Sequence, residues 1–332
     1  MILHIMIMDK FLPSFINFTD KHFGRENHKY VFITSEKYNY GLNKKHEVEF
    51  LHTNEEIFHT LLEYMKNSEK IILHGLWRDK VDLLLIKNPH LLSKSYWIMW
   101  GGDFYFPKKH SDNRKKIIKN IPYLVTGTTG EIEYVRKHYN AKGKHIKAFV
   151  YTSNLFKDIK LNSINTDTIR ILVGNSSTET NQHFQVFEKL KKYKHKNIQI
   201  YVPLSYGNPS YGMKVMKKGY ELFKDKFNPM IDFMNEKNYY EFLSTINIAI
   251  FNHNRQQGMG NIITLLGMGK KVYMNPKVST YKMFLENSIK VFNIDNIDLE
   301  LINNNQKNNN IKNTKFLFSK ESFIQQLKEI FN

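Results

Sequence analysis

Three polar turns, each following an apolar run, carry the residue types that could do chemistry in the second half of this chain. In the richest, at 247–274, the β-branched and aromatic run 248–251 leads into Asn252, His253, Asn254, Arg255, Gln256 and Gln257. Gly258, Gly260 and Asn261 follow where Ile262, Ile263, Leu265 and Leu266 take up helical spacing. Glycines there let backbone N–H groups approach a ligand at a helix N-terminus, a setting for an anion with a guanidinium beside it. A polar loop that only caps a buried helix is the plain alternative. The second turn, Gly174, Asn175, Ser176 and Ser177, opens a helix after an apolar strand, with Asn181 and His183 further along. Its hydroxyls could cap that helix or bind phosphate oxygens. The third, Ser205, Tyr206 and Gly207, offers Tyr206 or Tyr211 as a stacking surface for a base or sugar, or is ordinary turn chemistry.

The first half supplies a different set. Asp103 follows Trp100, Gly101 and Gly102 directly after a strand, and the carboxylate is expected to project into a cleft and accept a proton from a sugar hydroxyl. The competing reading is a helix N-cap. His74, Trp77, Trp100, Phe104 and Tyr105 surround it as candidate acceptor contacts, although an isolated histidine at a strand end is more often structural. Glu131, in the turn 126–131, reads as a first-turn residue favoured by the helix dipole. No G-x-G-x-x-G follows the first strand, and neither a P-loop nor an H-E-x-x-H occurs. No metal and no cofactor are therefore expected, and a leaving diphosphate is best stabilised by Arg255 and helix N-termini.

These turns need a scaffold. Apolar runs at 2–8, 30–34, 70–74, 95–100, 123–126 and 145–150 alternate with helical spacing, which predicts a mostly parallel sheet covered on both faces. A second α/β series begins at 169. The expected organisation is a domain at 1–150, a polar linker at 151–168, a second domain at 169–300, an Asn-rich flexible loop at 301–318 and a C-terminal helix at 319–332 that could pack back on the first domain. The class is α/β, with two Rossmann-like doubly wound domains facing across a cleft. The absence of cysteine suits a reducing compartment, and no apolar run approaches a membrane span, so the expected location is cytoplasmic. A formal charge of +18 points to a broad anionic partner: nucleic acid, an anionic bilayer or phosphorylated ligands.

The segments NSSTETN (175–181), PLSYG (203–207), FNHNRQQGMGN (251–261), GKKV (269–272) and WGGD (100–103) resemble those of the TDP-N-acetylfucosamine:lipid II N-acetylfucosaminyltransferases, also called 4-alpha-L-fucosyltransferases, glycosyltransferase family 56. The likeness in kind covers most of 70–285. It implies a GT-B fold and metal-independent transfer of a 4-acetamido-4,6-dideoxygalactose from a TDP-sugar to an undecaprenyl-diphosphate-linked saccharide, by an enzyme peripheral on the inner membrane. In enteric bacteria that step builds the common antigen trisaccharide. It further implies that Gly174, Asn175, Ser176, Ser177, Asn181, Tyr206, Asn252, Gln256, Gln257, Gly258, Gly260 and Asn261 hold the donor. His74, Trp77, Trp100 and Tyr105 would meet the acceptor, with Asp103 and Arg255 catalytic. The alternatives are a sugar-nucleotide epimerase of the same architecture and a basic nucleic-acid-binding protein. No helix-turn-helix, RNA-recognition signature or zinc finger supports the latter, and nucleic acid is not an expected partner.

Overall fold

The computed structural model describes residues 1–34, 40–158 and 167–332. The chain divides into two compact units, Met1–Asn154 with Glu321–Asn332, and Leu155–Lys320. In the first, strands β1 (Ile2–Met6), β2 (His28–Phe32), β3 (Glu49–Phe50), β4 (Lys70–His74), β5 (Ser95–Ile98), β6 (Tyr123–Thr126) and β7 (Lys144–Lys147) form a parallel sheet in the order β3-β2-β1-β4-β5-β6-β7. In the second, β8 (Ile169–Val173), β9 (Ile198–Pro203), β10 (Phe227–Met230), β11 (Ile248–Phe251), β12 (Lys271–Met274) and β13 (Phe292–Asn293) follow the order β10-β9-β8-β11-β12-β13, again parallel.

Runs such as Ile71–Leu73 and Ile248–Phe251 are apolar without alternation because helices cover both faces of each sheet, and these residues are essentially fully buried. Strand order reverses between β1 and β4 in one unit and between β8 and β11 in the other. At such a switch the loops leaving adjacent strands diverge to opposite faces and open a crevice at the carboxyl ends.

Two expectations change. The Asn-rich stretch is not a loop: Asn304–Leu317 is a helix, with Asn303 capping it by accepting from Gln306 N at 2.9 Å. Composition suggests disorder, but Asn310 is fully buried, and its amide pairs with the backbone of Lys290, accepting from N at 2.6 Å and donating to O at 2.8 Å. Asn313 donates to Ser288 O at 2.9 Å, so asparagine side chains here do the work of backbone. The proposed linker is also more ordered at its start than its polarity suggests. Tyr151 lies in the first unit, where its hydroxyl accepts from Trp100 Nε1 at 2.6 Å, while 159–166 lies outside the described residues.

The C-terminal helix Lys320–Phe331 lies, from Glu321 on, in the first unit. Gln326 Oε1 accepts from Phe149 N at 2.8 Å, Ile330 O accepts from Lys70 Nζ at 3.1 Å, and Phe323 and Phe331 pack on Phe18 and Phe23. Among the described residues no helix is long and apolar enough to cross a membrane.

Candidate active site

The switch point of the second unit gathers the loops after β8, β9 and β11. Gly174 leaves β8 at φ 70°, and a Cβ there would lie 2.7 Å from His183 Nε2 and 2.8 Å from Asn181 Oδ1, so the turn requires glycine. Asn181, fully buried, then locks the loop: Oδ1 accepts from Asn175 N at 2.9 Å, and Nδ2 donates to Thr178 Oγ1 at 2.8 Å and Ser176 Oγ at 3.2 Å. His253 Nε2 lies 3.0 Å from the same Oδ1. Burial drives the His253 pKa down to about 3, so the ring is neutral.

Gln257 joins the β11 loop to the β8 loop. Its Nε2 donates to Asn175 Oδ1 at 3.0 Å and Thr178 Oγ1 at 3.2 Å, and its Oε1 accepts from Thr180 Oγ1 at 2.5 Å. The β9 loop is tied in through Asn175 Nδ2, which donates to the Tyr206 hydroxyl at 2.8 Å, and through Ser177, whose N and Oγ both donate to Tyr206 O at 2.8 Å. Ser177 also bridges Gly207, where φ is 114° and a Cβ would come within 2.8 Å of the Ser177 carbonyl. The Tyr206 ring remains about half exposed, at 48%.

These loops surround the start of the helix Met259–Gly267. Its N-cap is Gly258, at φ 66°, and no side chain caps the first turn. Backbone N–H groups at the start of a helix lack intrahelical partners, and the helix dipole adds positive potential there, so the first turn suits a negatively charged group. Arg255 stands three residues before this N-cap, partly exposed, with Gln256 beside it.

In the first unit the crevice between β1 and β4 is aromatic. Phe11, Trp100 and Tyr151 meet with ring centroids 4.4 to 5.6 Å apart, and Trp77 packs on Trp100 at 5.7 Å. Gly75 and Gly102 make room for Trp77, because a Cβ on either would overlap its indole. From Tyr151 a row of buried hydrogen bonds crosses the sheet: Tyr151 hydroxyl to His74 Nδ1 at 2.8 Å, His74 Nε2 to His4 Nδ1 at 3.0 Å, and His4 Nε2 to His28 Nδ1 at 2.8 Å. Burial lowers all three histidines, His74 to about 3 and His28 to about 4, so the row is neutral.

The family described as 4-alpha-L-fucosyltransferase, glycosyl transferase group 56, matches residues 10–332. The chain belongs to this family. Among solved structures, a glycosyltransferase from Rickettsia africae ESF-5 is similar at 13% identity and a TM-score of 0.70, over 99% of this chain and 97% of that one. The lipopolysaccharide outer core galactosyltransferase WaaB is similar at 9% identity and 0.68, over 99% and 98%. Anabaena HepE, in complex with UDP and glucose, is similar at 11% identity and 0.65, over 99% and 98%. These likenesses show the fold, which is GT-B, and the family makes the chain a glycosyltransferase.

Within this group 56 chain the anticipated residues separate. Gly174, Asn175, Ser176, Ser177, Asn181, Tyr206, Gln257, Gly258, Gly260 and Asn261 come together on the loops at one switch point, with Asn252, Arg255 and Gln256. Asn175, Ser176, Ser177, Asn181 and Asn252 are all buried, and their side chains are engaged in holding the loops to one another. Asn261 Nδ2 donates to the Tyr239 hydroxyl at 3.0 Å, and Asn252 Nδ2 to Gln185 Oε1 at 3.0 Å.

Asp103 needs a correction. It does not project into a crevice: it has no exposed surface, Oδ2 accepts from Leu76 N at 3.0 Å and Trp97 Nε1 at 2.7 Å, and Oδ1 accepts from Trp100 N at 3.0 Å. It holds the turns after β4 and β5 together. His74 is likewise fully buried and has no surface to offer an acceptor, whereas Trp77, Trp100 and Tyr105 keep partial exposure.

The sequence reading missed Asp9. It lies in the turn after β1, at the switch point of the first unit, partly exposed, and burial lifts its carboxyl above the ordinary range. The signal was available as an acid just beyond the first apolar run, but without partners in sequence it did not stand out. Among the described residues no group of three His, Cys, Asp or Glu side chains is placed to hold a metal ion.

Proposed function

We propose that the chain transfers a 4-acetamido-4,6-dideoxyhexose from a TDP-sugar to an undecaprenyl-diphosphate-linked saccharide, at an anionic inner-membrane surface and without a metal ion. One observation carries the donor half: three loops of the second unit meet at an uncapped helix N-terminus beside Arg255. Phosphate oxygens take the N–H groups of the Met259–Asn261 turn, and Arg255 neutralises charge as the diphosphate leaves. The exposed face of Tyr206 stacks on the nucleoside. That a structural neighbour holds UDP and glucose supports a sugar nucleotide as donor.

The first unit takes the acceptor, with Trp77, Trp100 and Tyr105 as apolar faces for sugar or prenyl chain. In an inverting transfer a general base removes the acceptor proton, and Asp9 is the carboxylate placed for it, at the carboxyl end of β1 with a raised pKa. The charge of +18 holds the enzyme at anionic lipid, where each basic residue near the surface contributes about 1 kcal/mol.

Calorimetric titration with TDP, UDP and GDP, with and without EDTA, tests the reading. Binding selective for TDP and unchanged by EDTA is expected. A chain that ignores all three while binding duplex DNA with a steep salt dependence would overturn it.

A further inference from the structure

Beside the donor loops, the second unit bears an open cavity of about 440 Å³ that has no role so far. This lies within the ~300–1,000 Å³ range of small-molecule sites. It opens at the carboxyl ends of β11, β12 and β13, and two of its walls, Asn252 and Asn254, belong to the loop that carries Arg255 and Gly258. The cavity therefore begins within a few residues of the proposed diphosphate site. Its mouth is held by Gln182 Nε2, which donates to Asn252 O at 2.7 Å, by the Asn252 to Gln185 amide pair, and by Asn254 N, which donates to Thr180 O at 3.2 Å.

The lining chemistry is selective. Carboxamides dominate the polar side, and an amide both donates and accepts, as ring hydroxyls and an acetamido group do. Of the charged residues in the lining, Lys189 and Asp295 are matched at 3.1 Å, which leaves the exposed Lys277 as one further positive charge at the rim. Val278 and Ile294 add an apolar face suited to the ring C–H groups or a deoxy methyl. No aromatic side chain lines the cavity, which argues against a nucleobase, and the amide wall argues against a lipid chain.

We infer that this cavity receives the hexosyl group of the nucleotide sugar, so that Gln182, Gln185 and Asn254 determine which sugar is carried. The inference rests on the donor reading above and extends it from the diphosphate to the sugar.

Gln185 tests it: it is exposed on the helix His183–Leu190, and its one tie to the loop named above is Oε1 accepting from the buried Asn252 Nδ2, which both replacements remove alike. Gln185→Trp puts an indole into the cavity mouth, and Gln185→Ala removes the amide and its bond to Asn252 without filling the mouth, which makes it the control for that lost bond. TDP and TDP-4-acetamido-4,6-dideoxygalactose are titrated calorimetrically into wild type and both variants, with circular dichroism as the check on folding. The expected result is a TDP affinity within about twofold of wild type, while the TDP-sugar weakens about tenfold or more in Gln185→Trp and less in Gln185→Ala. Equal loss for both ligands would assign the cavity to the nucleoside, and no loss for either would leave the sugar elsewhere; each overturns the inference while the donor reading stands. A wild-type chain that binds neither ligand overturns both.

Discussion

Replacing Asp103 by Asn separates a carboxylate that reacts from one that holds two turns together. The side chain keeps its shape but exchanges one oxygen for NH2. Its partners, Leu76 N, Trp97 Nε1 and Trp100 N, are donors only, at 3.0, 2.7 and 3.0 Å. Wherever the amide nitrogen sits, it opposes at least one of them and leaves a buried N–H unpaired. A hydrogen bond to a charged group contributes roughly 1.5–3 kcal/mol, and an unsatisfied buried donor costs about 1–3 kcal/mol. Burial raises the Asp103 pKa, so removing the charge also relieves some desolvation, and we take a net loss of about 2 kcal/mol. For a unit of this size that lowers the unfolding midpoint by about 4–8 °C. Trp77, Trp97 and Trp100, the chain's three tryptophans, all lie in the first unit, so tryptophan fluorescence on heating reports that unit alone. Turnover by the folded variant should fall less than the ~10²–10⁴-fold that loss of a general base brings. An unchanged midpoint together with abolished transfer would refute the argument and restore Asp103 as the base.

Arg255→Ala should lower turnover by about tenfold or more with the unfolding midpoint unchanged, because Arg255 is partly exposed and the role proposed for it is with the leaving diphosphate; a folded variant with normal turnover would remove that role. Glu131, buried among Thr126 and Thr128, is lifted to about 7 by burial, so the folded state holds a proton that the unfolded chain releases near pH 4.5. Its contribution is therefore full below pH 4.5 and is lost as pH rises to about 7. Glu131→Gln should leave the fluorescence midpoint unchanged at pH 5 and raise it at pH 8; equal midpoints at pH 8 would show that the carboxyl ionises without cost.

Strands such as Lys70–His74, Tyr123–Thr126, Ile169–Val173 and Ile248–Phe251 were legible because a strand buried on both faces must be apolar throughout, which leaves a continuous run between polar turns. The two-residue strands β3 and β13 carry too short a run to register. The helix Asn304–Leu317 was hidden because its stability comes from Asn310 and Asn313 bonding to the segment 288–290, a tertiary effect with no periodic trace. The donor loops could be read as a group because glycine, hydroxyl and amide residues at strand ends are unusual in bulk. Which of them face outward could not: Asn175, Ser176 and Asn181 are buried while Tyr206 is about half exposed, a difference that only packing sets. Asp103 misled for the same reason, since an acid after Gly-Gly is compatible with solvent and with three N–H donors that the sequence does not place near it.

The return of Glu321–Asn332 to the first unit governs the order in which the chain can be made. Domains generally fold as units during synthesis, the N-terminal one first. Here residues 155–320 are translated between the two parts of the first unit, and Phe331 is the ring that packs against His4 and His28. Until that residue leaves the ribosome, the histidine row lacks its cover, while the second unit already has every strand it needs. The first unit is thus completed only after the whole of the second has been synthesised.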